Sequence, residues 1–260
     1  MDITSRELVS LRSLPRPILY SILLNYIVLG GTILLMSWWL IDDEELRTGF
    51  VMLAAVPPAP AVLPFTHSLG GDALFSMIGM TGAYIAALVI MPLAMLLFLG
   101  IDFFNPWKLL LILGELILIP IAASRILLFT RLDKRIKPFR GTIVNWSFFI
   151  ITFTIVGLNR QAFFGEFDTL IRTAIVAVVM SFVLGYVLEL VAKALKLRHE
   201  MTVSIIMMGT LKNYSLAAGI LLTLFTERSA IPVSVCLVFG ILLYVWLGFH
   251  LSRQRQRITP

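Results

Sequence analysis

Charge is what this chain has least of. Of its 260 residues, 14% are Asp, Glu, Lys or Arg, while 59% are hydrophobic. A soluble domain is about a quarter charged and about half apolar. A water-soluble fold of this size could not hide so much apolar side chain, so its surface faces lipid. One cysteine, Cys236, excludes an internal disulfide. The three histidines, His67, His199 and His250, are scattered without metal-ligand spacing. No basic-then-apolar-then-small leader opens the chain, and neither a long linker nor a low-complexity stretch interrupts it. The net charge of +6 would suit nucleic acid, but the positions of the basic residues point to a bilayer, with no nucleic-acid partner.

The chain does contain long apolar runs. Eight stretches, about 16–41, 47–69, 73–99, 108–128, 141–158, 168–194, 201–225 and 230–251, each approach the roughly 20 residues that a helix needs to cross hydrocarbon. Orientation follows from the basic residues between them. With the N-terminus in the cytoplasm, fourteen fall inside: Arg6, Arg12, Arg16, Arg131, Lys134, Arg135, Lys137, Arg140, Lys193, Lys196, Arg198, Arg253, Arg255 and Arg257. Five fall outside: Arg47, Lys108, Arg160, Arg172 and Arg228. The expectation is an all-α integral protein of the cell (inner) membrane with both termini cytoplasmic. Trp38, Trp39, Phe103, Phe104 and Trp107 read as an interfacial belt.

Two of the spans are interrupted. The second carries Pro57, Pro58 and Pro60 at its centre. Each lacks an N–H and clashes with the preceding turn, so three within four residues predict an unwound segment. The seventh carries Gly209, Thr210, Lys212 and Asn213 at its centre. A lysine at mid-membrane costs about 2.5–3.5 kcal/mol on insertion scales and marks a functional position by default. Glu115 and Glu189 are the acids available inside spans, and Glu115 is a candidate proton carrier or charge partner for that lysine.

Spans one to three and six to eight match in length, with a break in the middle span of each. The first unit starts inside and the second outside, so the units are inverted. Interrupted helices at equivalent places of inverted repeats point to a secondary-transporter site. The expected organisation is one membrane domain, 1–260. Core repeat one covers 16–99, a panel-like hairpin 104–160, and core repeat two 168–251.

At these residues the chain resembles the bile acid:sodium symporter superfamily. The similarity spans nearly all of residues 5–251. It is carried by AAVPPAPAVLPFTHSLGGDALFSMIGMTGAYIAALVIMP, which resembles a proline-containing crossover helix, a Gly-Asp turn and the next span. TVSIIMMGTLKNYSLAAGI resembles the second crossover helix. The resemblance implies two inverted five-span repeats, a core holding the crossed helices, a panel domain beside it, and organic-anion transport with sodium.

The chain departs from that pattern in three ways. The first two spans of the family are lacking. Either the chain starts late or a second subunit, as in a homodimer, supplies that surface. The sodium ligands implied by the resemblance are largely replaced: Val62 and Leu63 stand for a Ser-Asn pair, Met208 for a Glu, Lys212 for a Gln and Met80 for a Thr. Asn25, Ser76 and the adjacent Thr81 keep oxygen. Finally, Lys212 puts a fixed positive charge where a cation would bind. This suggests that its ammonium replaces the ion, holds the unwound helix together and attracts an anion. Proton coupling is a second mechanism.

The expected site is therefore Lys212, Asn213, Thr210, Pro57, Pro58, Pro60, Asn25, Ser76 and Thr81, taking a small organic anion by alternating access. No cofactor or metal centre is expected, and sodium dependence is an open question. An enzyme is disfavoured. Leu69-Gly70-Gly71-Asp72 lacks the Gly-x-Gly-Asp order and the second membrane aspartate of intramembrane proteases, and no Ser-His or zinc arrangement lies in the spans. A channel, or a non-transporting or assembly-dependent membrane protein, is the alternative.

Overall fold

A computed structural model describes residues 15–100 and 106–258. Arg6, Arg12, Phe103 and Phe104 of the basic and aromatic patterns lie outside the described residues. Within them the chain is helical and contains no β-strand. Helix α1 covers Pro15–Leu40, α2 Glu44–Ala55, α3 Val62–Ser68, α4 Ala73–Leu99, α5 Pro106–Phe129 and α6 Arg140–Leu158. Helix α7 covers Phe167–Ala194, α8 His199–Thr210, α9 Tyr214–Leu224 and α10 Ile231–Ile258. Five segments, in α1, α4, α6, α7 and α10, are long and apolar enough to cross a membrane. This is an integral membrane protein.

Local chemistry sets the helix ends. Asp43 caps α2, its Oδ1 accepting from the N–H groups of Glu45 at 2.9 Å and Leu46 at 3.0 Å. Asp72 caps α4 through the Phe75 N–H at 2.9 Å, after a turn in which Gly70 takes φ 76°. Helix α2 stops at Ala55 because Pro57 forces the residue before it out of the helical region, and Val56 has ψ 151°. Pro92 inside α4 is tolerated, since neighbouring helices re-satisfy a freed carbonyl in a membrane bundle. Two π-helical stretches, Leu23–Leu29 in α1 and Val179–Val183 in α7, widen those helices locally.

The interrupted helices lie at the centre. Every residue from Thr48 to Ala59, and from Thr202 to Asn213, is buried. The long helices around them instead turn one apolar face outward, as a lipid-facing surface must: Leu19, Leu35, Ile85, Val89 and Leu97 are exposed. Trp38 and Trp39 near the end of α1 are exposed too. Helix α6 holds the least buried of the five long apolar segments. Its outward residues include Trp146, Phe149 and Phe153, and it is pinned at one end, where Asn159 donates to Ser234 Oγ at 2.8 Å.

An ionic network ties the α2, α7 and α10 ends together. Arg228 meets Asp43 at 2.9 Å and Glu166 at 2.7 Å. Arg172 meets Asp42 at 3.3 Å and Asp168 at 2.8 Å. Burial pushes the Asp43 carboxyl up, but the Leu46 N–H, Arg228 and the Glu45 N–H together outweigh it and hold it below the usual range. The Arg228 hydrogen bond, chiefly, does the same for Glu166. Depressed carboxyls stabilise the fold above their unfolded values, about 3.9 and 4.3. That contribution disappears as pH falls through the folded values. Lowering pH from 5 to 3 should therefore reduce the melting temperature more in wild type than in Arg228→Gln. The difference should stay under about 1 kcal/mol per pair and shrink in high salt, because these groups are about one-third exposed. Parallel pH profiles for the two proteins would show that the network contributes nothing.

Candidate functional site at the crossing of the broken helices

The two interruptions meet. Asn213 donates its backbone N–H to the Pro57 carbonyl at 2.9 Å, and Pro58 and Lys212 pair as an isolated antiparallel bridge. Each break thus satisfies part of the other's freed backbone at membrane depth, which an unwound segment requires.

The prolines determine what else is freed. In an α-helix the carbonyl of residue i accepts from the N–H of residue i+4. Pro58 and Pro60 have no N–H, so the carbonyls of Ala54 and Val56 lose their regular donors. Both accept from Lys212 instead. Its Nζ lies 2.7 Å from Ala54 O and 3.0 Å from Val56 O. It also lies 2.9 Å from Asn25 O and 2.8 Å from Asn25 Oδ1. The Asn25 carbonyl belongs to the π-helical stretch of α1. The Tyr26 ring centroid is 5.0 Å from Nζ, close enough for a cation–π contact. The ammonium thus sits at the C-terminus of α2, where aligned backbone dipoles favour positive charge.

Asn25 completes the junction from the other side. Its Nδ2 donates to the Met208 and Leu211 carbonyls, each at 3.3 Å, at the end of α8. Asn213 caps α9, accepting from the Leu216 N–H at 3.1 Å, and donates from Nδ2 to the Tyr84 hydroxyl at 2.8 Å. Thr210 is buried and donates to Ile206 O at 2.7 Å.

The remaining expected site residues are placed differently. Pro57 and Pro58 are buried in the crossing, whereas Pro60 is exposed. Ser76 is buried on α4, and its hydroxyl has no partner among the described residues. Thr81 is exposed and donates back to Met77 O at 2.9 Å, so it faces away from the crossing. Glu115 is exposed on α5 and is not among the groups that accept from Lys212. A carboxylate is unnecessary there, because four backbone and amide oxygens already surround the ammonium's three N–H donors. For the same reason Lys212, fully buried, has no donor left for an anion in this arrangement. Its hydrogen bonds in the structure all lie inside the junction.

Three aromatic hydroxyls were not anticipated. Tyr84 holds Asn213, and Tyr26 donates to Ala83 O at 2.8 Å. Tyr214 lines a small apolar cleft of about 20 Å³, together with Ala59, Phe65, Leu211 and Gly240. Its buried hydroxyl has no partner among the described residues. Tyr26 and Tyr214 are sequence neighbours of Asn25 and Asn213. That adjacency was the available signal.

Crossed, interrupted helices whose breaks supply each other's hydrogen bonds place unwound backbone at the centre of the helix bundle. The chain belongs to the sodium bile acid symporter family, whose model matches residues 1–166. Members of that family are transporters. The match includes α1 to α4 with Asn25 and the proline break; Lys212 lies beyond it. A stretch of 103 residues is 31% identical to the uncharacterised protein YbaS of Bacillus subtilis (strain 168), covering 38% of this chain and 34% of that protein.

Proposed function

We propose that this protein is a secondary transporter that moves a small organic anion by alternating access, with the Lys212 ammonium as a resident cation in place of a transported one. The carrying observation is the oxygen cage around Nζ, with four acceptors at 2.7–3.0 Å. Such a set of hard oxygens is the kind that binds metal cations, and here a side-chain ammonium fills it. Eight spans in two inverted units, both termini cytoplasmic in the cell (inner) membrane, are part of this reading. So is rocking of the core helices against α5 and α6. The Tyr214 hydroxyl, buried beside the crossing without a partner among the described residues, is a donor for one acceptor oxygen of the substrate.

A resident cation leaves no role for sodium at this position. The purified protein should melt at the same temperature in sodium as in matched potassium, since a ligand of the folded state would raise it by mass action. Stabilisation by sodium would restore sodium symport as the leading mechanism. In reconstituted vesicles, anion flux that saturates and does not depend on sodium fits the carrier. Ohmic current would identify a channel, and binding without flux a non-transporting protein.

A further inference from the structure

We propose that Glu189 and His250 form a proton-binding site, at the end of α7 that leads into α8, whose charge state governs how α7 packs against the second broken helix. The Glu189 side chain is 3% exposed, within a membrane-spanning helix. Lys193, one turn on, contacts Oε1 at 2.6 Å, and His250 Nε2 on α10 lies 3.3 Å from Oε2. The imidazole is stacked on the Trp246 indole, with ring centroids 4.7 Å apart at 12°.

Two features point to a proton rather than to a static ion pair. Lys193 by itself neutralises the carboxylate, so charge balance requires nothing of His250. The second partner is the one side chain that ordinarily changes charge between pH 5 and 8. Protonated, it adds an ion pair to a carboxylate that is 3% exposed, and presents a cation to an aromatic face. The Lys193 side chain is 56% exposed and that of His250 31%, and an exposed lysine near a helix end extends its ammonium toward water, the route for proton exchange. Other charged or titratable groups on the elements packed against α7 and α10 include His67 on α3, which packs on Tyr244 through Phe65 and Ser68, Lys196 and Arg198 before α8, and Glu44, Glu45 and Arg47 on α2. His199 and Glu200 open α8, and Asp168 and Arg172 are paired in the first turns of α7. Arg253, Arg255 and Arg257 follow His250 in sequence.

The site is joined to the crossing through α7. Gly209 has no Cβ, and Leu188, next to Glu189, fills that space: a Cβ there would lie 2.5 Å from Leu188 Cδ1. One turn back, a Cβ on Gly185 would lie 3.5 Å from Thr210 Cγ2. Gly209 and Thr210 directly precede the break at Leu211–Asn213. A change in how α10 holds Glu189 therefore bears on residues that touch the end of α8.

The test compares melting temperatures of the full chain in nanodiscs at pH 6 and pH 8 for wild type, His250→Gln and Glu189→Gln. The rise on acidification should be larger in wild type than in either variant, by about 2–4 °C. Equal rises in all three would overturn the proposal. Should a variant not fold, amide hydrogen exchange on wild type decides. Once corrected for the intrinsic effect of pH, residues 184–194 and 209–214 should exchange more slowly at pH 6. Unchanged protection would overturn the proposal.

Discussion

Lys212→Ala should unfold far more readily than wild type, by about 3–5 kcal/mol, the usual cost of removing one partner from a buried charged cluster. The reason lies in the partners rather than in the lysine. Three of its four acceptors are main-chain carbonyls, of Asn25, Ala54 and Val56. No side-chain substitution can remove them. Those of Ala54 and Val56 would be left buried without a donor, at about 1–3 kcal/mol apiece before relaxation, while the Asn25 carbonyl keeps the Gly30 N–H. Alanine also opens space inside the oxygen cage. The variant should therefore acquire what wild type lacks, a rise in melting temperature in sodium relative to potassium. If Lys212→Ala melts like wild type, the ammonium contributes nothing to the junction. If it is destabilised but indifferent to sodium, the cage holds a lysine and nothing else.

Gly49→Ala should also cost stability, by at least about 2 kcal/mol, although alanine normally stabilises a helix interior relative to glycine by roughly 1 kcal/mol. A Cβ at Gly49 would run into the Ser229 carbonyl oxygen and stand 3.0 Å from Pro232 Cγ. Neither is the free end of a flexible side chain, so α2 or the start of α10 would have to shift. Gly31 on α1 is the control. It is helical, and a Cβ added there would meet nothing within 4 Å, so Gly31→Ala should be neutral or slightly stabilising. Melting curves of the two variants check both halves. Equal behaviour would mean that α2 and α10 are not packed as closely as described.

Much of the site was legible because proline and lysine are costly in a membrane. Pro57, Pro58 and Pro60 announced a break, and the i+4 rule extends what they tell. Prolines at 58 and 60 name Ala54 and Val56 as the carbonyls left without donors, and those two reach Lys212. What remained hidden was the identity of the remaining acceptors. Asn25 follows Lys212 only once α1 and the crossing are packed together, and its carbonyl, which also accepts from the Gly30 N–H, is placed by a π-helical turn that apolar periodicity does not reveal. Glu115 was a reasonable partner for a buried lysine by charge alone. The structure satisfies that lysine with backbone and amide oxygens instead. Thr81 illustrates the other limit. One residue's offset along a helix rotates a side chain by about 100°, enough to turn an oxygen at the right depth away from the junction.

A cation bonded to the chain differs from a bound ion in one further respect. A bound sodium ion leaves on the far side and carries its charge across the membrane. Lys212, over a complete cycle, returns to where it began and carries none. The electrical work of the proposed carrier is then set by the substrate alone, at about 2.3 kcal/mol per charge for each 100 mV. A monovalent anion would move against an interior-negative voltage on the way in and with it on the way out. Exchange of one coupling cation for a tethered ammonium would thus turn the electroneutral symport of a monovalent anion into a transport step that the membrane potential drives outward.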